Sequence, residues 1–515
     1  MTGAECLLRT LAANGVDICF MNPGTSEMYF VSALYRVKDV RGVLCLFEGV
    51  CAGAADGYGR MLGRPAATLL HLGPGLANGL ANLHNARKAR TPVVNIVGEH
   101  STRHLQYDAP LSADIEAFAR TVSGYVRVVK SAAEMGVAAA ETIQAATTPP
   151  GQVATLIVPA DLSWSEAGDD APVIERPVRV PPPADRIEDV ARLLGIEGTA
   201  VLLGGTTIND RALAAAGRLA AQTGVRILAD RNAARIASGR GRFHPVTVPY
   251  FPEPAIALLA DVRQLILVET QAPVSFFGYP NTPSYLLPKE SSVSVLARRE
   301  EDGTAALEAL VDAWGAGRAA IPQSVPVPVA AIGHGPLTVE AIGATLAHRL
   351  PESAIVADEM VSASAVVASC LFHAAPHDRL PVTGGSIGQG LPVAVGAACA
   401  CPDRKVVALE ADGSGMYTLQ ALWTMVRENL DVVVVIFANR RYKILEIEMQ
   451  RTGAAAFGNR ANEMIDIGRP SLDWVQLAAG MGMPASRAAT AAEFDTQFRA
   501  AMEERGPRLI EAWLA

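Results

Sequence analysis

A chain of 515 residues, half of them hydrophobic and 19% charged, has room for about three domains built on large buried sheets. The net charge of −8 and the pI near 5.7 argue against a nucleic-acid partner, the 5% of aromatics shows no base-stacking surface, and no stretch is long and apolar enough to span a membrane. The seven cysteines fall in no metal-ligand spacing, since Cys399 and Cys401 are too close for a C-x2-C pair, and read as buried free thiols of a reducing cytosol. The N-terminal stretch MTGAECLLRTLAANGVDICF lacks the basic region, apolar core and cleavage site of a signal peptide, so a cytoplasmic location is expected.

Residues 1–165 alternate helical and strand patterns. Residues 4–14 read as an amphipathic helix and 18–21 as a short strand, ended by the turn Asn22-Pro23-Gly24-Thr25-Ser26. Residues 42–47 form the next strand, and 48–62 a helix rich in Ala and Gly. Another strand covers 66–71, followed by a turn at Gly73-Pro74-Gly75 and a helix over 76–87. Residues 92–98 and 153–159 are further apolar strands. The pattern predicts a doubly wound α/β domain. Residues 166–186, EAGDDAPVIERPVRVPPPADR, are acidic and proline-rich and read as an extended linker. A middle α/β domain over 187–320 has strands at 200–203, 226–229, 264–269 and 292–296. Gly204-Gly205 after its first strand is compatible with a nucleotide but assigns none. A second proline-bearing stretch, 315–336, leads into the last domain, 337–515.

The last domain holds the stretch that decides the chemistry, residues 405–449. Residues 405–410 form a short apolar strand, and Ala411-Asp412-Gly413-Ser414-Gly415 is too glycine-rich to continue it. Leu419, Leu422, Trp423, Met425 and Val426 have helical spacing. Residues 432–437 are an unbroken β-branched and aromatic run, suited to a parallel strand buried on both faces. A right-handed crossover places both strands in one sheet, so Asp412 and Asn439 stand at the carboxyl ends of strands, where open α/β sheets bind ligands. One carboxylate and one amide oxygen make a small oxygen set suited to Mg²⁺ or Ca²⁺ carrying phosphate oxygens and water. Taken singly, Asp412 caps a helix and Asn439 starts a turn; the pair points to a metal–phosphate site.

Asp412-Gly413-Ser414 followed by Asn439 resembles the GDG…NN signature of thiamine-diphosphate-dependent enzymes, with Ala411 and Ala438 replacing the first Gly and the first Asn. The resemblance implies metal ligation by Asp412, the Asn439 side chain and the Arg441 carbonyl. The segment from Glu48 to Arg60, EGVCAGAADGYGR, resembles the family's E…AADGYAR run. By itself Glu48 reads as an acid satisfying a helix dipole. The resemblance makes it the residue that hydrogen-bonds N1′ of the aminopyrimidine and promotes its imino tautomer. Gly384-Gly385-Ser386-Ile387-Gly388 is by itself a tight turn. The resemblance gives the Gly385 carbonyl to the 4′-amino group and makes Ile387 the wedge that keeps the cofactor bent. Gly413, Ser414 and Ser362 are diphosphate candidates, Ser362 being equally an N-cap serine. Asn78 falls in Gly73-Pro74-Gly75-Leu76-Ala77-Asn78, which resembles the family's GPGxxN loop. His71 occupies the place of an acid/base histidine in benzoylformate decarboxylase, where acetolactate synthases show a small polar residue. Thr25 stands where the decarboxylase has a substrate-contacting Ser. Gly278 replaces a second catalytic His of that enzyme, and the neighbouring Phe276, Phe277 and Tyr279 line a pocket or belong to the core. His100 and His104 lie four apart in a polar loop with no third ligand in view.

Three α/β domains on two proline-bearing linkers also resemble the thiamine-diphosphate decarboxylase and acetolactate synthase group over the whole chain. This implies three doubly wound parallel-sheet domains, for the aminopyrimidine (1–165), the middle (187–320) and the diphosphate and Mg²⁺ (337–515). It implies active sites shared across a homodimer or homotetramer. Thiamine diphosphate and Mg²⁺ are expected, and FAD, which some relatives hold in the middle domain, is not predicted. The expected activity is non-oxidative decarboxylation of a 2-oxo acid. The alternatives are an acetolactate-synthase-type condensation of two 2-oxo acids, and a non-catalytic cofactor-binding relative, which Ala411 and Ala438 allow.

Overall fold

The computed structural model describes residues 1–168, 173–322, 331–452 and 459–515. Residues 169–172 and 323–330 of the two expected linkers lie outside the described residues. The first sheet contains β1 (Ile18–Asn22), β2 (Arg41–Leu44), β3 (Ala66–Leu70), β4 (Val93–Glu99), β5 (Tyr125–Val128) and β6 (Val153–Pro159), all parallel, in the order β2-β1-β3-β4-β6-β5. The middle segment supplies β7 (Thr199–Leu203), β8 (Arg226–Ala229), β9 (Ile236–Ser238), β10 (Val246–Thr247), β11 (Gln264–Val268) and β12 (Ser292–Ala297). Five of these form a parallel sheet in the order β10-β8-β7-β11-β12. The third sheet contains β13 (Ile355–Glu359), β14 (His377–Pro381), β15 (Val406–Ala411), β16 (Val432–Ala438), β17 (Ala485–Ala488) and β18 (Arg508–Trp513), in the order β17-β18-β16-β15-β13-β14-β9. The expected doubly wound architecture is present in all three sheets.

The exception to parallel pairing is β9. It leaves the middle segment and runs antiparallel to β14, with Ser238 opposite His377. Arg235 at its start is bidentate to Asp378, at 2.9 Å from each nitrogen. Residues 173–183 carry no helix or strand, as a linker should, but they are tied down. Ile174 N–H donates to Asn14, the Arg176 guanidinium to the Asn14 carbonyl, and Asp302 N–H to the Val180 carbonyl.

β16 shows why sequence reading works here. All seven of its residues are buried, between β15 and β18, with helices over both faces. Each large aliphatic side chain removed from water contributes about 1.5–3 kcal/mol. The first and third sheets share one hydrophobic core through two small-residue helices, Glu48–Leu62 and Gly390–Ala400. A Cβ at Gly396 would overlap the Ala54 carbonyl, and one at Gly57 the Val393 carbonyl. Glycine is what lets these backbones meet.

Two local expectations are corrected. Gly73-Pro74-Gly75 is not a turn before a helix at 76; the helix runs Leu72–Ala89 and includes it. Pro74 lies in the first turn, where backbone N–H groups have no intrahelical partner to lose. The 411–415 turn coils into a short helix, Asp412–Gly415, and the next helix begins at Ala421 rather than 418.

Each sheet has an interior point where strand order reverses: between β1 and β3, between β7 and β11, and between β13 and β15. Ligands of open α/β sheets bind in the crevice beyond the strands there.

Candidate active site

Beyond β1 and β3 the first crevice holds a glutamate and a histidine. His71 is the N-cap of Leu72–Ala89, and Leu72 follows it with φ of +52°, left-handed backbone that costs a non-glycine residue on the order of 1 kcal/mol. The His71 Nδ1 lies 2.7 Å from Oε2 of Glu27, which also accepts the Gly24 N–H at 2.7 Å. Glu27 is 3% exposed, and burial pushes its carboxyl above the ordinary value, with the neighbouring His71 opposing the shift. Among the described residues its Oε1 has no hydrogen-bond partner, and it faces Gly98, where a Cβ would overlap it. A carboxylate on Nδ1 takes that N–H as a donor, leaving Nε2 to exchange a proton with a ligand. Thr25, at the start of the same 3-10 turn, is exposed.

Glu48 opens the next helix along, Glu48–Leu62, at 7% exposure. Asn78 Nδ2 donates to its Oε2 at 3.0 Å. Gly75 leaves room for its other oxygen, since a Cβ there would come within 2.9 Å of Oε1. Glu48, Asn78, His71 and Glu27 therefore share one end of the first sheet, the Leu72–Ala89 helix linking Asn78 to His71.

The third sheet gathers the other candidates. Asp412 is 3% exposed beyond β15. Its Oδ1 accepts the Gly413 N–H at 2.9 Å and its Oδ2 the Arg440 N–H at 2.6 Å. Burial nevertheless pushes its carboxyl up to about 6. A cation placed against it would relieve that desolvation. Asn439, just past β16, accepts the Arg441 N–H on its Oδ1 at 2.9 Å. Carboxylate, amide oxygen and the Arg441 carbonyl make a hard-oxygen donor set that fits Mg²⁺. Among the described residues no group of three His, Cys, Asp or Glu could hold a metal. Gly413 abuts the Tyr442 ring and Ser414 is buried. Ser362 lies in a 3-10 turn, and the following helix, Ser364–Leu371, has Ala363 at its N-cap, so Ser362 is not the cap.

The loop before Gly390–Ala400 carries Gly385 and Ile387. Gly385 has φ of +77°, and a Cβ on it would come within 2.6 Å of the Phe276 ring. Phe276 and Phe277 are 41% and 54% exposed, so they are not core, and Phe276 stands beside this loop. Helix Leu72–Ala89 holds the loop from the other side: Asn82 donates to the Gly388 and Gly49 carbonyls and Asn85 to the Ser386 carbonyl. Beneath the loop, Glu359 accepts the Gly388 N–H at 2.7 Å and the Gly390 N–H. Its register partner across the strands is Glu410. Burial pushes Glu359 up to about 7 against the Gly390 and Gly388 N–H groups, which lower it, and burial together with the Glu359 charge pushes Glu410 well above the ordinary carboxyl value.

Among the described residues no hydrogen bond joins the Glu48 group directly to the Asp412 group. The sequence reading missed Glu27, Glu359, Asn82 and Asn85. No local pattern marks Glu27, whose partner His71 is 44 residues away; Asn82 and Asn85 stand three apart on one helix face but lack a motif.

The family described as thiamine pyrophosphate enzyme, N-terminal TPP binding domain, matches residues 1–123, and the corresponding C-terminal TPP binding domain matches 362–512. The chain is 48% identical, over 99% of its length and 98% of the relative's, to the putative acetolactate synthase large subunit IlvX of Mycobacterium tuberculosis. This chain belongs to the thiamine pyrophosphate enzymes. It is 29% identical to benzoylformate decarboxylase of Pseudomonas aeruginosa over 97% of this chain and 96% of that one. The thiamine diphosphate-dependent 4-hydroxybenzoylformate decarboxylase of Rhodococcus jostii superposes with a TM-score of 0.87 at 25% identity, covering 100% of this chain and 99% of that one.

Proposed function

We propose that this thiamine pyrophosphate enzyme decarboxylates a 2-oxo acid without oxidation. The observation that carries this reading is the Glu27–His71 pair, a buried carboxylate aligning an imidazole on the same sheet end as Glu48. Thiamine diphosphate, when bound, supplies the carbon nucleophile and takes up the electron pair left by departing CO₂. The chain's residues do the rest. Glu48, backed by Asn78, holds the proton at the aminopyrimidine N1′. Asp412, Asn439 and the Arg441 carbonyl hold Mg²⁺, and Gly413 and Ser414 border the diphosphate. Gly385 offers its carbonyl, and Ile387 its aliphatic side chain, to the ring system. His71 Nε2 gives a proton to the substrate oxygen and takes it back, while Thr25 offers a hydroxyl to the substrate carboxylate. We place the enzyme in the cytoplasm as a homodimer or homotetramer, with the Glu48 group of one subunit facing the Asp412 group of the next.

A second reading is condensation of two 2-oxo acids, the reaction for which the 48%-identical relative is named. Gly278, at the place of a second catalytic histidine, favours it. Turnover of a 2-oxo acid panel with thiamine diphosphate and Mg²⁺ tests both. CO₂ with an aldehyde supports decarboxylation, and CO₂ with a hydroxyketone or 2-acetolactate supports condensation. No CO₂ from any acid refutes both.

A further inference from the structure

The crevice of the middle sheet, between β7 and β11, is where a nucleotide would place its phosphate. It is already filled. Glu269 ends β11 at 2% exposure with φ of +53°, a left-handed conformation that strains any residue but glycine. That twist aims its carboxylate across the crevice at the Gly204-Gly205 loop. Oε2 accepts the Thr206 N–H at 2.9 Å, the Thr206 hydroxyl at 2.9 Å and the Arg179 guanidinium at 2.9 Å. Oε1 accepts the Gly303 N–H at 3.0 Å, at the first residue of helix Gly303–Ala313, and lies 3.1 Å from the Thr206 hydroxyl. Two backbone N–H groups, one hydroxyl and one arginine converging on an anion are the donors a phosphate attracts. The glycines belong to the seat: a Cβ on Gly205 would come within 2.5 Å of Oε2, and one on Gly303 within 2.8 Å of Oε1.

We propose that Glu269 is a built-in substitute for a ligand phosphate, which closes the middle domain of this chain to FAD and other nucleotides at that crevice. Space is not what excludes them. A cleft of about 510 Å³ adjoins the seat and is lined by Gly205, Thr206, Arg179 and Arg90. The exclusion is one of charge and donors. A phosphate entering the seat meets a carboxylate of like sign and finds the donors committed. Arg179 belongs to the stretch between the first and middle domains, so the same contact fastens that stretch to the crevice.

Glu269→Gly is the variant of choice, because glycine adopts φ of +53° without strain and vacates the seat. It is studied as the holoenzyme, saturated with thiamine diphosphate and Mg²⁺, so that the diphosphate site of the third domain is filled. Inorganic phosphate at 10 mM is expected to raise the Tm of Glu269→Gly by about 3–6 °C and leave the parent chain unmoved. A folded variant indifferent to phosphate overturns the proposal. If Glu269→Gly fails to fold, titration of the parent holoenzyme with FAD and with ADP decides. No saturation up to 1 mM supports the closed crevice, and binding of either ligand in the micromolar range, or flavin absorbance in the purified protein, refutes it.

Discussion

The reversal points of the first and middle sheets each present a glutamate and use it in opposite ways. Glu269 has hydrogen-bond donors on both oxygens, all from its own chain. Among the described residues Glu27 has two partners on Oε2 and none on Oε1, and one of those partners is an imidazole whose second nitrogen makes no hydrogen bond there. The fold delivers a carboxylate to the same topological place in both cases. What differs is the number of internal donors waiting there. A satisfied carboxylate is a structural clasp; an unsatisfied one beside a histidine is equipped to move protons. The third reversal point adds a variation, in which Glu359 satisfies the loop of Gly388 and Gly390 while crowded by Glu410.

The change expected to separate the working end from the clasp most strongly is Glu48→Ala. Turnover should fall by about 10³-fold or more, with the Tm moved by no more than about 3 °C. Steady-state CO₂ release and a thermal melt check this, and undiminished turnover would remove Glu48 from the chemistry. Next comes Asp412→Ala, expected to weaken Mg²⁺-dependent cofactor binding by about 100-fold, read by titrating activity of the stripped enzyme. A variant that loads cofactor as before would move the metal elsewhere.

Glu27→Gln sharpens the comparison itself. A carboxylate on Nδ1 fixes the ring orientation and the tautomer that leaves Nε2 facing a ligand, so its loss loosens the alignment of His71. The maximum of kcat/KM should fall roughly tenfold, and the acid-side loss that comes from protonating Glu27 should disappear. In the unmodified chain, burial raises the Glu27 carboxyl, so on acidification Glu27 loses its charge sooner than an ordinary glutamate would. An unchanged pH profile in the variant would make Glu27 a clasp like Glu269. Gly385→Ala is expected to cost about 1–3 kcal/mol, because φ of +77° and the Phe276 ring both oppose a Cβ. The loss should appear as weaker cofactor binding, measured by calorimetry.

The last prediction concerns stability rather than turnover, at the seam between β9 and β14. Burial pushes His377 down to about 4, with the Arg379 and Arg242 charges lowering it further and the Ala375 carbonyl opposing. The folded chain therefore binds this proton more weakly than the unfolded chain. The His377 contribution is intact above pH 6.5 and is lost as pH falls from 6.5 towards 4, up to roughly 3 kcal/mol. His377→Asn should flatten stability across that window. Denaturant midpoints at pH 7 and pH 5 that shift as they do in the parent would point to another group.

Much of the molecule is decided locally. The apolar run of β16, the Ala/Gly helix from Glu48 and the glycine-rich breaks after β15 and before Gly390 depend on neighbours in sequence. Periodicity and turn chemistry expose them directly. The resemblance to thiamine-diphosphate enzymes rests on the same short runs, and Glu48, Asp412 and Asn439 are the site candidates those runs offer. Tertiary structure alone decided the partners. Glu27 meets His71 across 44 positions, Asn82 meets Gly388 across 306, and β9 crosses from the middle segment to finish the third sheet. Nor could the sequence show that Glu269 fills the nucleotide crevice, because that depends on Arg179, Thr206 and Gly303 arriving from three separate segments. Secondary structure follows from short-range sterics and burial pattern. Which carboxylate is left unsatisfied follows from donors that only long-range folding brings within 3 Å.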